Sequence, residues 1–371
     1  MRYTPKDKHE SRGMGEGSAG ASGIGRRTLL AGAAGAAAWA GLRPGLGFAA
    51  DAKQVVVANW GGVAVEGFTK AWAAPLMKED GLKLVVDGGG PSAGKIKAMV
   101  EAKNTVWDVC DGSVGSSIQL GEAGLLEEID YGIVSKAKVR PGFAYKWSVC
   151  NYMFSYVMLV DEQSFGGKGP QSWKDFYDVA KFPGKRTLRG LFEGQLEGAL
   201  LADGVDPKAL YPLDVDRALA KIKSIKEHVI FWKSGAEAED LFRRKEVVAG
   251  NMWSNRAALL RVELKGALDW NWDGAVLAPA VWVVPKNNPA GKAAAMKFIA
   301  VAQEPAGQVE LFKVVGMSPA NPGAAAAMPA ELKRYDATQP DNVAKQVPLD
   351  IKWYGENSAA VQAKYLDMMS S

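Results

Sequence analysis

Residues 53–62 (KQVVVANWGG), 83–90 (KLVVDGGG) and 107–113 (WDVCDGS) are three short β-prone runs, each ending in glycine or small polar residues. Residues 63–77 and 91–102, which lie between them, carry apolar side chains at helical spacing. Strand, glycine-rich turn and helix repeated in this order predict a parallel α/β sheet. Ligands of such sheets sit at the carboxyl ends of the strands. The turns at Trp60-Gly61-Gly62, Gly88-Gly89-Gly90 and Gly112-Ser113 are therefore the first place to look for a site.

Working outward, a longer β-rich stretch at 152–160 leads into a second α/β set. Strands are predicted at 185–188, 229–232 and 247–253, with helices at 193–202, 215–225 and 236–244. A further β-prone segment at 276–284 precedes a helix at 289–302. Two α/β lobes joined by crossings near residues 158 and 282 follow from this alternation. Residues 53–157 plus 281–318 form the first lobe, and 158–280 plus 319–371 the second. The expected fold is two hinge-connected lobes, each built on a central, mainly parallel sheet.

The chain has 371 residues, of which 48% are hydrophobic, 23% charged and 9% aromatic, so it can bury a sizeable core without disulfide staples. Net charge is +4, but residues 1–52 hold 7 Lys/Arg and 4 Asp/Glu, leaving 38 against 37 in the remainder. A body so nearly neutral has no bulk attraction for nucleic acid or anionic membrane. The two histidines are His9 and His228. That excludes a His-rich zinc site and argues against a Ser-His-Asp triad, and neither metal nor cofactor is expected.

Arg26 and Arg27 precede an Ala/Gly-rich apolar run of about 14 residues, the length of a signal-peptide core and too short to span a bilayer. Paired arginines ahead of a weakly hydrophobic stretch read as a twin-arginine export signal. Small residues at 47–52 suit signal cleavage, so the mature chain is expected to start near Lys53 and to reside in the periplasm. Cys110 and Cys150 then both lie in an oxidising compartment and are candidates for one bridge, the alternative being two buried thiols.

Several constellations have residue types that could carry chemistry. Gly89-Gly90-Pro91-Ser92-Ala93-Gly94-Lys95-Ile96 has most of a phosphate-binding loop, but Ile96 replaces the hydroxyl that magnesium needs. What remains is a glycine turn at a helix start, where Ser92 and backbone N–H groups could meet an anionic part of a solute. Glu193 and Glu197 share a helix face at i, i+4, and Ser113 sits in a near miss for the nucleophile elbow; with His228 as the one base in the mature chain, a hydrolase is disfavoured. Trp60, Trp232, Trp253 and Trp282 each fall near a predicted strand end, and Asn255 and Arg256 follow Trp253 directly. Rings with a few convergent polar groups line small-molecule clefts, and the alternative is inter-lobe packing.

The order of motifs resembles the spermidine/putrescine-type periplasmic solute-binding proteins of ABC importers, within extracellular solute-binding protein family 1. The stretches that carry the resemblance are Trp60-Gly61-Gly62, Trp107-Asp108-Val109, Gly124-Leu125-Leu126-Glu127, Phe182-Pro183-Gly184-Lys185-Arg186, Ala202-Asp203-Gly204-Val205, residues 211–218 (YPLDVDRA) and Trp253-Ser254-Asn255-Arg256. The resemblance implies a monomeric binding protein that closes its lobes on a solute and delivers it to a membrane permease, with no catalytic activity. It also implies that Trp60 and Ser113 contact ligand from the first lobe, that Trp253 stacks from the second, and that Arg189 and Glu193 lie where polyamine binders place acids. The departures are Ala278 and Ala280 where an aspartate for the amine is expected, and Val63, Gly115 and Met317 where rings are expected. Without a carboxylate, a buried ammonium costs several kcal/mol, on the order of that for any unpaired buried ion. A polyamine is the family expectation; the alternatives are a small anionic or aromatic carboxylate met by Arg189 and Arg256, and an exported enzyme on the same scaffold.

Overall fold

The computed structural model describes residues 54–371, so Arg26, Arg27 and the expected cleavage region lie outside the described residues. The first half alternates as expected: β1 (Gln54–Ala58), α1 (Val63–Asp80), β2 (Lys83–Asp87), α2 (Ala93–Glu101), β3 (Val109–Gly112) and α3 (Val114–Glu122). The long β4 (Ser148–Asp161) leads into α4 (Trp173–Tyr177), β5 (Arg186–Arg189), α5 (Gln195–Ala202), α6 (Val215–Lys223), β6 (Val229–Trp232), α7 (Gly235–Arg243), β7 (Ala249–Trp253) and α8 (Ser254–Glu263). The chain returns through β8 (Leu268–Asp269), β9 (Val276–Val283), α9 (Gly291–Ala302), α10 (Pro305–Val315), β10 (Ser318–Pro319) and β11 (Val347–Pro348) to a C-terminal helix, Ile351–Ser370. None of these helices is long and apolar enough to cross a membrane.

All the strands belong to one sheet, whose main order is β2-β1-β3-β9-β4-β7-β5-β6. β1 pairs in parallel with β2 and β3, and β5 with β6 and β7, while β9 and β4 run antiparallel to each other and to their outer neighbours β3 and β7. The two parallel sets are thus welded through a shared antiparallel centre. β4 has 14 residues, about 46 Å at about 3.3 Å per residue, which is enough to serve both sets. The short strands β10 and β11 pair with β4 and β9, so the segment between them also passes across this centre.

Hydrophobic side chains collect on the two sides of the centre. Phe68 and Trp72 of α1 meet Phe298 of α9 and Trp282 of β9, with centroids 5.4 Å apart for Phe68–Trp282 and for Trp282–Phe298. Beyond β4, Phe176, Leu196 and Ile222 pack with Tyr354, Val361 and Tyr365 of the C-terminal helix. That helix gives no clear signal in the sequence because its apolar residues are sparse, and its docking is anchored instead by tyrosine hydroxyls.

Cys110 and Cys150 are both free and buried, which corrects the candidate bridge. Cys110 on β3 is opposite Val283 of β9, and Cys150 on β4 is opposite Val281. The two therefore flank β9 at two inter-strand spacings, about 10 Å before any offset along the strands, beyond the roughly 7 Å Cα limit for a disulfide. They also pack in different clusters, Cys110 with Val114 and Val281 and Cys150 with Met153 and Trp282. Burial pushes both thiols well above their ordinary range and leaves them inert.

Candidate functional site

The carboxyl ends of the two parallel sets face a gap along the central strands. Gly112, at the end of β3, is level with Val281 and hence with Cys150 of β4, whereas Trp253, at the end of β7, is level with Tyr156. The six residue steps of β4 from Cys150 to Tyr156 span about 20 Å at about 3.3 Å each, the floor of a cleft. Tyr152, Phe154 and Tyr156 alternate onto one face of that floor, and the Phe154 and Tyr156 rings meet edge to face at 5.5 Å.

The far side of the cleft is organised around Arg189, the last residue of β5. Its guanidinium lies 5.1 Å from the Trp253 ring and 5.8 Å from that of Trp232. Nη1 donates to the Tyr156 hydroxyl and to Glu193 Oε2, both at a long 3.3 Å, and Nε is buried with no partner. Trp253 Nε1 and Asn251 Oδ1 are likewise buried and unpaired. Unmet buried polar groups are uncommon because each costs about 1–3 kcal/mol, so a concentration of them marks a surface built for something else to complete. Burial pushes the Tyr156 hydroxyl up to about 12, so it stays protonated and available as a donor. The backbone here is set by Gly194 at φ 77°, where a Cβ would come 2.3 Å from the Tyr156 ring. Tyr365 of the C-terminal helix donates to the Arg189 carbonyl at 2.8 Å.

On the near side, Trp60 is 54% exposed beside the glycines 88–90, and Gly61 donates its N–H to Asn59 Oδ1 at 2.9 Å. The Ser92 and Ser113 hydroxyls cap α2 and α3, accepting from Lys95 N–H at 3.3 Å and Ser116 N–H at 3.2 Å. The Lys95 ammonium folds back onto the Gly89 carbonyl, so the phosphate-loop-like stretch closes on itself. Asp111, fully buried at the end of β3, accepts from the Tyr152 hydroxyl at 2.7 Å and from Asn151 Nδ2 at 3.1 Å, and burial pushes its carboxyl up to about 7 against those hydrogen bonds.

Several expected contacts are reassigned by this geometry. Trp282 is 1% exposed within the aromatic cluster of α1 and α9, because its position on β9 points into the core. Trp232 is fully buried and forms a wall behind Trp253, with ring centroids 5.0 Å apart at 83°. Arg256 is held by Glu239 at 2.8 Å and ties α8 to α7, and the Asn255 backbone abuts Gly316. Glu197 does not share a face with Glu193 in solvent: it is buried, accepts from Tyr211 at 2.6 Å and Tyr354 at 2.7 Å, and burial raises its carboxyl. Trp60, Gly61, Arg189, Glu193 and Trp253 remain at the strand ends. The sequence reading missed Tyr156, Asn251 and Asn59; a lone asparagine in an apolar strand, as in AGNMW, was the available signal. Among the described residues no group of three or more His, Cys, Asp or Glu could hold a metal ion.

A family model described as bacterial extracellular solute-binding protein matches residues 71–340. The chain belongs to that family. It is 30% identical to the gamma-aminobutyric acid-binding protein of Pseudomonas aeruginosa over 334 residues, 86% of this chain and 93% of that one. It is similar to a solved GABA receptor (34% identity, TM-score 0.77, 85% of this chain and 98% of the other). It is also similar to an ABC transporter substrate-binding protein from Bradyrhizobium japonicum (30% identity, TM-score 0.80, 86% of this chain and 100% of the other). A spermidine/putrescine-binding protein from Streptococcus pneumoniae shares the fold at 17% identity, TM-score 0.67, 86% of this chain and 100% of that one. The resemblance to the spermidine/putrescine type is thus corrected to the wider family. The protein is the solute-binding component of an ABC importer, binds a small organic solute in a two-lobed α/β fold, and is not an enzyme. Members of this family act outside the cytoplasm and hand their ligands to a permease.

Proposed function

We propose that this solute-binding protein takes an amino-acid-type solute bearing a carboxylate, which Arg189 receives from the second lobe. The observation that carries the reading is the Arg189 guanidinium, stacked near Trp253 with weak partners on Nη1 and a buried Nε that has none. A guanidinium in this state gains charge-assisted, bidentate hydrogen bonds from a carboxylate and loses by meeting an ammonium. The acids near the strand ends are already engaged: Asp87 by Gly89 N–H and Trp107, Asp111 by Tyr152 and Asn151, Glu193 by Arg189, and Glu239 by Arg256. Ala278 and Ala280, where a polyamine binder needs acid, are buried. This charge pattern favours the carboxylate over the polyamine, and the gamma-aminobutyric acid ligand of two similar proteins supports the same choice.

In the full reading, the twin-arginine machinery exports the chain through Arg26 and Arg27, and the leader is removed before Lys53. The monomer then closes its lobes, 53–157 plus 281–318 and 158–280 plus 319–371, about β4 and β9 in the periplasm. Replacing Arg26 and Arg27 by lysine should retain the precursor in the cytoplasm on cell fractionation; continued export through the general secretory route would contradict it. The binding test is calorimetry with gamma-aminobutyric acid, glutamate, putrescine and spermidine on the parent and on Arg189→Met. An acid should bind the parent and lose at least about tenfold in the variant, the cost of one charge-assisted contact. Binding of a polyamine alone, or acid affinity untouched by the substitution, would overturn the reading.

A further inference from the structure

Resting on the reading that Arg189 receives the carboxylate of the solute, we infer that Tyr354 and Tyr365 of the C-terminal helix are positioning residues for it, holding residues 189–194 so that the guanidinium stays directed at the ligand. Both tyrosines are buried among Phe192, Leu196 and Ile222, in a different cluster from the Phe154 and Tyr156 rings of the cleft floor. Their effect on binding therefore runs through the backbone of residues 189–194.

Three contacts run from this one helix to that segment. The Tyr365 hydroxyl donates to the Arg189 carbonyl at 2.8 Å. The Tyr354 ring stacks on Phe192, with centroids 5.6 Å apart at 18°. The Tyr354 hydroxyl donates to Glu197 Oε1 at 2.7 Å, and Glu197 Oε2 in turn accepts from Gly194 N–H at 3.1 Å. The helix thus holds the first residue of the segment, its middle and its last. Neighbouring elements complete the grip: Gln195 accepts from Arg189 N–H at 3.4 Å and donates to the Glu193 carbonyl at 3.2 Å, Gly190 N–H donates to the Trp232 carbonyl at 2.8 Å, and Asn251 Nδ2 donates to the Gly194 carbonyl at 3.0 Å.

A buried donor without a partner is costly, and a segment free to move would carry it to water. Arg189 keeps its Nε unmet because the backbone that bears it is fixed at both ends. The ordering cost is then met on folding, and a carboxylate arrives at donors already aimed. The helix is itself well anchored: Asp350 accepts from Trp353 N–H at 2.9 Å at its start, Val361 and Met368 are buried along it, and Lys364 pairs with Asp216 at 2.7 Å. Phenylalanine at 354 and 365 would bury the same rings, so what the two hydroxyls add is the hold on residues 189–194.

The test is calorimetry of the mature chain with gamma-aminobutyric acid and glutamate, run as a double-mutant cycle between Tyr365→Phe and Arg189→Met. Tyr365→Phe alone should weaken the acid that the parent binds better by about fivefold, in the range of one hydrogen bond. In the Arg189→Met background the same change should cost less than about twofold, because no guanidinium remains to be aimed. Tyr354→Phe should repeat the pattern through Glu197. Val361→Ala, on the buried face of the same helix, should lower the urea midpoint of unfolding and leave affinity within about twofold of the parent. Parent affinity in both tyrosine variants, equal losses in the two backgrounds, or a loss in Val361→Ala as large as that in Tyr365→Phe overturns the positioning role and leaves Arg189 standing. Acid affinity untouched by Arg189→Met would instead remove the reading on which that role rests.

Discussion

Asp111→Asn separates the energetics of the cleft floor from ligand binding. The carboxyl is fully buried between β3 and β4, accepts from Tyr152 and Asn151, and is pushed by burial from an ordinary 3.8 to about 7. The folded protein therefore holds this proton more firmly than the unfolded chain. The stability contributed by the group is complete below about pH 4 and is lost as the pH rises to about 7, a loss of about 4 kcal/mol at about 1.4 kcal/mol per pH unit. Asparagine has the shape of the neutral acid and does not titrate. Its Oδ1 can accept from Asn151 while its Nδ2 donates to the Tyr152 oxygen; the Tyr152 O–H then loses its acceptor, a cost that does not change with pH and leaves the slope of the comparison intact. The nearby titratable side chains, Tyr152 and Cys110, are pushed up by burial and stay neutral over this range. Urea unfolding of both proteins at intervals from pH 4.5 to 8 should show the variant gaining on the parent by several kcal/mol across the range. Parallel stability curves would show that Asp111 titrates normally and would refute the argument from burial.

Trp282→Leu should cost roughly 3 kcal/mol in equilibrium unfolding, as large core truncations do, and leave ligand affinity intact; weakened binding at full stability would return Trp282 to the cleft. Native protein should show neither Cys110 nor Cys150 to a thiol reagent, unfolded protein should show both, and reductant should not move the melting temperature. Two thiols missing after unfolding would mean a bridge, and with it a sheet in which β9 does not lie between β3 and β4.

Much of the architecture was legible because strands and helices alternate with little interference. The VVV and LVV runs of β1 and β2, each closed by glycine, can pair in parallel with a helix crossing back, and the parallel sets appear where that pattern places them. The two-residue strands β8, β10 and β11 and the C-terminal helix were not legible. They form through pairing with β4 and β9 and through hydroxyls such as those of Tyr354 and Tyr365, which leave no periodic trace.

At the site, composition and strand order were enough to determine that tryptophans, an arginine and glycine turns would gather at strand ends, since chain connectivity brings every such end to the same cleft. Which tryptophan faces solvent and which faces the core was decided by sheet register, because neighbouring positions on a strand point to opposite faces: Trp282 turns inward and Trp253 outward. Which arginine keeps an unmet donor was decided by how neighbouring elements pack. Glu239 of α7 reaches Arg256, while Arg189 keeps an unpaired Nε between Trp253 and Tyr156. The sequence states which charges exist; only the fold, by spending some of them on one another, determines which are left for a ligand.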